Sequence, residues 1–369
     1  MTTLPLIEPK KPSLLGCKFQ NSKVIIISDI HIGNNQSNAI FHNIAIEFAK
    51  WLRQEAINNN INDIIVSGDI FNNRHEISVP TINTAHQFFS ILNIFNIFAL
   101  VGNHDAYYKD RSDINSINIL DGRDNIKIIK DPLIIEQFNK KIAFAPWGST
   151  LDFITDKVDY LFGHLETKTF KMTKYEECTH GYNSSELLDK ATNIFSGHLH
   201  LRQERTYDNG KIVYVGNPFQ LNWGDYEVDK GYHILDFKDN SLSFIKNTIS
   251  PIHIKFYLSK ILDKGLTPED KQLFKNNIIK LVIDTEIDQE TIELLYNKLI
   301  LLKPLDLKLD LINFNNKIYN NDETNLKLDD TVDFSLILKE YISNLDVDYK
   351  DNIYEYIINI YNKFKEGNK

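Results

Sequence analysis

The reading of the fold turns on one stretch, Val24–Asn35, VIIISDIHIGNN. Four β-branched apolar residues follow one another without alternation, which is the pattern of a short strand buried on both faces. The run stops at Ser28, and Asp29, His31 and Gly33 follow. In extended chain, residues i and i+2 point to the same side, so the carboxylate and the imidazole are presented together where the buried strand ends.

The same grammar repeats outward from this point. Strand-like runs occur at Val24–Ser28, Ile64–Ser67, Ile97–Val101, Ile142–Pro146, Tyr160–Phe162, Ile194–Ser196 and Ile212–Val215, with helix-like stretches at Ala39–Asn58 and Thr81–Phe95. This is βαβ spacing giving way to more strand-rich sequence, and it predicts a layered α/β domain over residues 23–250. Residues 1–22 read as a leader. After Pro251 the texture changes: KLVIDTE (280–286), QETIELLYNKLILL (289–302) and LDLKLDL (305–311) read as a small βαβ module within 251–312. Residues 313–331 are polar and read as a linker. Helical spacing returns over 332–369 in Phe334, Ile337, Leu338, Tyr341, Ile342 and Leu345, then in Ile353, Ile357, Ile360, Tyr361 and Phe364.

Strand after strand in the first domain runs into metal-ligand chemistry. Ile64–Ser67 leads to Asp69, Ile97–Val101 to Asn103, His104 and Asp105, Tyr160–Phe162 to His164, and Ile194–Ser196 to His198 and His200. The carboxyl ends of strands are where open α/β sheets form their ligand crevice. Oxygen and imidazole donors without a thiolate suit Mn²⁺, Fe²⁺ or Zn²⁺. Three carboxylate or amide oxygens (Asp29, Asp69, Asn103) and four imidazoles (His31, His164, His198, His200) exceed the needs of one ion. They suit two ions bridged by a carboxylate, roughly 3.5–4 Å apart, an arrangement that serves phosphate-ester chemistry.

Composition narrows the setting. The chain has 369 residues, 42% hydrophobic and 25% charged, as expected of a globular protein of more than one domain. Two cysteines, Cys17 and Cys178, predict no disulfide framework and fit a reducing, cytoplasmic setting. No apolar run is long enough to span a membrane. A net charge of −9 argues against a generally basic nucleic-acid binder but leaves room for a local basic groove or for metal ions.

The ordered set SDIHIG, SGDIF, GNHD, GHLE, SGHLH resembles the calcineurin-like metallophosphoesterases, over about 180 residues. GDIFNNRHEIS, GNHDAYYKD, APWGS and VGNPFQLNWGDYEVDKGYHILDF are similar to the nuclease subunit of SbcCD-type complexes, in particular the recombination endonuclease subunits of T-even-like phages. The resemblance implies a layered β-sandwich flanked by helices, a βαβ capping domain, and C-terminal helices at 332–369 that bind an SMC-like ATPase. It implies a homodimer within a heterotetramer that acts on DNA, as a 3′–5′ exonuclease on duplexes and an endonuclease on single strands or hairpins, in recombination and double-strand break repair. It further implies two divalent ions, Mn²⁺ above others. Asp29, His31, Asp69 and His200 would hold the first ion, with Asp69 bridging to a second held by Asn103, His164 and His198. His104 would assist the leaving group, oriented by Asp105. Some cellular relatives carry a His three residues beyond the bridging Asp, linked to exonuclease activity; Asn72 stands there in this chain. Arg74, Lys109, Arg111, Arg202 and Arg205 follow the metal motifs closely and are candidate DNA contacts. Two rivals stand beside this reading: a phosphatase or cyclic-nucleotide phosphodiesterase with the same site, and a non-catalytic scaffold.

Overall fold

The computed structural model describes residues 18–311 and, beyond them, residues 342, 350, 354, 355, 357 and 358. The expected linker and all but those few positions of the expected C-terminal helices lie outside the described residues, as does most of the expected leader.

The described strands, in chain order, are β1 (Lys23–Ile27), β2 (Asp63–Val66), β3 (Asn96–Leu100), β4 (Ile126–Ile129), β5 (Leu133–Gln137), β6 (Lys140–Ala145), β7 (Val158–His164), β8 (Ala191–Gly197), β9 (Gln203–Tyr207), β10 (Gly210–Tyr214), β11 (Gly231–Asp236), β12 (Leu242–Lys246), β13 (His253–Tyr257), β14 (Ile278–Ile283) and β15 (Asp306–Leu311). They build a six-stranded sheet ordered β12-β11-β1-β2-β3-β4, a second ordered β5-β6-β7-β8-β10-β9, and a three-stranded sheet β13-β14-β15. The runs β1-β2-β3-β4 and β6-β7-β8-β10 are parallel; antiparallel β11 and β12 close one edge of the first sheet, whose other edge is the parallel β4, and antiparallel β5 and β9 close both edges of the second.

Continuous apolar strands are explained by what covers them. Val24, Ile26, Ile65, Phe98 and Leu100 face Phe144, Tyr160, Phe162, Phe195 and Val213 of the second sheet in one core. Ile25, Ile27, Ile64, Val66 and Ile97 face the opposite way, onto Phe48, Leu52, Phe88 and Phe89 of two helices. Those helices are Ala39–Asn58, whose buried Ile44, Phe48, Leu52 and Ala56 recur every fourth residue, and Val79–Ile91, capped by the Ser78 side chain with a proline in its first turn. The outer face of the second sheet buries Leu161, Ile194 and Ile212 against Leu187 and Leu188 of the short helix Ser184–Lys190. The order is therefore helix, sheet, sheet, helix, and the expected layered α/β class is what the chain forms.

Two expectations change. Within Lys18–Ser22 Phe19 is not leader but core: it is buried with its ring 4.5 Å from Phe98 and 5.0 Å from Phe237. The amides of Gln20 and Asn21 donate to the Asp63 carboxylate at 2.8 and 3.1 Å. A single Phe among polar residues carries no periodic signal, so the sequence pattern could not find it. The βαβ reading of 251–312 is incomplete as well. β13 and two short helices, Leu258–Lys264 and Pro268–Phe274, precede β14, and all three strands run parallel.

Candidate metal centre

Register brings the motifs together. β1, β2 and β3 are parallel neighbours, with Ile27 opposite Val66 and Val66 opposite Ala99, so the Asp29, Asp69 and Asn103 turns emerge side by side. In the second sheet His164 pairs with Gly197, which sets it next to the His198 turn. All seven candidate ligands meet at this junction of the two sheets. His31 Nε2 faces His200 Nε2 at 3.0 Å. His164 Nε2 and His198 Nδ1 each lie 2.8 Å from Asn103 Oδ1. Asp69 Oδ2 stands between the groups, 3.7 Å from His31 Nε2 and 3.4 Å from His164 Nε2. The donor atoms of Asp29, His31 and His200, and those of Asp29, Asp69 and His164, lie within 4.8 Å of one another.

Hydrogen bonds assign the ring nitrogens. A carbonyl oxygen can only accept, so the 2.7 Å contact of His164 Nδ1 with Ser67 O puts the proton on Nδ1 and leaves Nε2 free to ligate. His198 is held the opposite way: its Nε2 donates to Glu166 Oε1 at 3.2 Å, so Nδ1 keeps the lone pair that can ligate. His104 Nδ1 donates to Asn72 O at 2.7 Å, which leaves its Nε2 open. His104 also lies near His31 and Asp69, with donor atoms of all three within 4.8 Å.

The backbone is strained where the donors are. Asp29 (φ 53°), His31 (φ 50°), Asp69 (φ 53°) and His198 (φ 86°) all adopt left-handed conformations. Non-glycine residues rarely do so, and such strain concentrates at functional sites. Space is equally tight: a Cβ on Gly102 would strike Asp69 Oδ1, and one on Gly68 would strike the His164 ring.

Electrostatics points the same way. Burial opposes an ionised Asp69, yet His164, His31 and His104 hold its carboxyl well below the usual range. Burial likewise opposes a charged His164, and Asp69 outweighs it, lifting the imidazole to about 9. Burial and the neighbouring His200 push His31 down. Asp29 Oδ2 is buried with no hydrogen-bond partner. Buried polar atoms without partners carry a desolvation cost that a cation would offset, so the residues fit a divalent pair.

One expected role does not survive. Asp105 does not orient the His104 ring; its fully buried carboxylate accepts from the amides of Ile70, Phe71 and Gly102 at 3.3, 2.9 and 3.0 Å. It ties the Asp69 turn to the Asn103 turn, and burial together with Asp69 pushes its pKa up to about 7. The carbonyl of Asn72 orients His104 instead, a main-chain contact that no motif encodes. The Arg205 guanidinium donates to Thr169 Oγ1 and O and covers the Phe170 ring at 4.1 Å. Arg202 lies over Phe244 at 4.3 Å. Arg74 is half-buried and Lys109 and Arg111 are exposed.

Other residues serve the site without having been singled out. Glu166 bridges His198 and His180, 3.0 Å from the latter, and the hydrogen bond from His198 holds its carboxyl below the usual range. Trp147 stacks on His198 at 5.3 Å. The buried ammonium of Lys230 donates to His200 O at 2.9 Å and to Asn217, and pairs with Asp225. GHLE, APWGS and the long GNPFQ segment were visible as motifs, but nothing in them specified these contacts.

A sandwich whose strand ends gather buried carboxylate, amide and imidazole donors in this order defines a metallophosphoesterase. Residues 22–202 match the calcineurin-like phosphoesterase family, and that stretch is a calcineurin-like phosphoesterase domain. Among relatives, exonuclease subunit 1 of Enterobacteria phage T4 is 27% identical over 280 residues, covering 72% of this chain and 78% of its own. Similar solved structures include an archaeal phosphodiesterase (TM-score 0.34, 19% identity, 61% of this chain and 99% of the other). A dimetal phosphatase from Danio rerio is also similar (TM-score 0.41, 11% identity, 61% and 95%). Among the described residues no helix is long and apolar enough to cross a membrane.

Proposed function

We propose that the protein is a Mn²⁺-dependent DNA nuclease, hydrolysing phosphodiesters from 3′ ends of duplexes and within single strands or hairpins. The observation that carries the two-ion part is Asp69 Oδ2, within 3.7 Å of His31 on one side and 3.4 Å of His164 on the other. Asp29, His31, Asp69 and His200 would hold one ion, and Asp69, Asn103, His164 and His198 the other. Bound ions supply an activated water at neutral pH and neutralise charge on the phosphoryl oxygens. Asn103 contributes an oxygen without adding negative charge beside the phosphodiester. Ser67 O and Glu166 fix the tautomers of His164 and His198, so their ligating nitrogens need no rearrangement. His104, held through Nδ1 by Asn72, turns its Nε2 towards the crevice, where a proton on that atom would meet the departing oxygen.

DNA as the substrate is supported by the likeness to a phage exonuclease subunit, and by the exposed Lys109 and Arg111 that follow the GNHD turn. The relative's name, a numbered subunit, also supports a partner. In our reading that partner is an SMC-like ATPase docked through residues 332–369, and the complex works in recombination and double-strand break repair.

The reading is tested by digesting end-labelled duplex and hairpin DNA with Mn²⁺, with and without that ATPase. Ion-dependent cleavage of DNA is expected. Release of phosphate from a monoester with DNA left intact would replace the nuclease by a phosphatase.

A further inference from the structure

Two loops leave the His104 hydrogen bond in different directions and meet again at the surface. His75 lies three residues beyond Asn72, whose carbonyl holds the His104 ring, and Tyr107 lies three residues beyond His104 itself. His75 and Tyr107 pack edge to face at 5.5 Å, and Tyr107 and Tyr108 do the same at 5.0 Å. Arg111 lies 4.3 Å over the Tyr108 ring. Despite these contacts Tyr107 and Tyr108 remain 45% and 41% exposed.

This cluster is held in place. Tyr107 N donates to Ile114 O at 3.0 Å, and Ala106 bridges Asn115 across the base of the loop. The tip is anchored as well, since Trp147 Nε1 donates to Lys109 O at 2.8 Å and the same indole stacks on His198. An exposed aromatic group is therefore braced on loops tied to His104 and His198, with Lys109 exposed on the same loop and Arg111 held beside Asp113 at 2.9 Å.

We propose that Tyr107, Tyr108 and His75, with Arg111, form a stacking platform for unpaired nucleobases flanking the phosphodiester at the metal centre. The proposal rests on the nuclease reading and narrows it to a substrate preference. Every base offers a π-face to an aromatic ring, so such a platform is indifferent to sequence. In a duplex those faces are covered by neighbouring pairs, and only ends, loops and single strands offer one. The guanidinium adds attraction through the ring it covers and through the phosphate backbone.

The test compares the binding of a short oligothymidylate with that of an abasic strand of equal length, by fluorescence anisotropy of the full chain with a chelator present to stop cleavage. The wild type should prefer the strand with bases by roughly 10–100-fold. Tyr107→Ala with Tyr108→Ala should abolish that preference while leaving the abasic affinity unchanged, and the matching Phe pair should retain it. Both tyrosines are substantially exposed, so the variants should fold, which circular dichroism would verify. An Ala pair that keeps the preference, or a wild type that has none, overturns the platform. If the tyrosines govern base binding but Mn²⁺ brings no cleavage of DNA, the nuclease reading falls and the platform stands.

Discussion

The ammonium of Lys230 lies 2.9 Å from the main-chain oxygen of His200, buried from solvent and paired with Asp225. Asp225 also accepts from the amide of Leu221 at 2.8 Å, and Leu221 O accepts from the side chains of Asn34 and Asn35, just past His31. One buried ion pair thus fastens the turns that present His31 and His200 to each other. Lys230→Ala would leave Asp225 buried and unpaired, a loss of about 3–5 kcal/mol in stability. It should also weaken ion binding about 10–100-fold, the usual cost of losing support behind a ligand. Urea unfolding and a metal titration check both, and undiminished ion affinity in a folded variant would separate the pair from the site.

His104 tests the division between ligand and proton donor. His104→Ala should keep its metal content and lose turnover by about 10²–10⁴-fold, as for a lost general acid. Elemental analysis beside the cleavage rate decides the matter. Loss of an ion would make His104 a ligand, which its proximity to His31 and Asp69 permits.

Much of this centre was legible in the chain because its donors follow buried strands directly. Unbroken apolar runs such as Val24–Ile27 reveal parallel strands covered on both faces, and the residue after such a run has a known place at the sheet edge. Donor types could be read for the same reason. The supporting contacts could not. Asn72 acts through its carbonyl, which every residue has, and Lys230 reaches His200 across a segment whose path only the fold defines. Asp105 was misassigned because adjacency in GNHD suggested contact with His104, whereas left-handed Asp69 and a tight Gly102 turn its carboxylate onto main-chain amides. Polar edge strands such as β9 and the solitary Phe19 lack periodicity and escaped notice.

Acid should destabilise the fold through two histidines outside the site. Burial pulls the pKa of His253 down to about 4 and that of His233 down to about 3. In the unfolded chain both titrate near ~6.5. Between those values the unfolded state binds more protons, so stability is intact above about 6.5 and falls as the pH drops towards 4. His253 contributes up to roughly 3 kcal/mol and His233 up to roughly 5 kcal/mol. Urea midpoints compared at neutral and mildly acid pH should show the loss, and His253→Gln should flatten the profile. A midpoint indifferent to pH would contradict the assignment.

The exposed lysine and arginine after the GNHD turn carry a separate expectation. Changing Lys109 and Arg111 to Ala together should weaken DNA binding uniformly across sequences and reduce the salt slope by about 2, one phosphate contact for each. An unaltered slope would make them ordinary surface charge.

The central claim is that two ions bridged by Asp69 cleave DNA. It is tested most directly by titrating metal-depleted protein with Mn²⁺ while following the cleavage of closed circular single-stranded DNA. The account predicts that cleavage rises with the second ion bound, and that Asp69→Ala neither retains two ions nor cuts. Full activity with one ion, or two ions retained without Asp69, would contradict it.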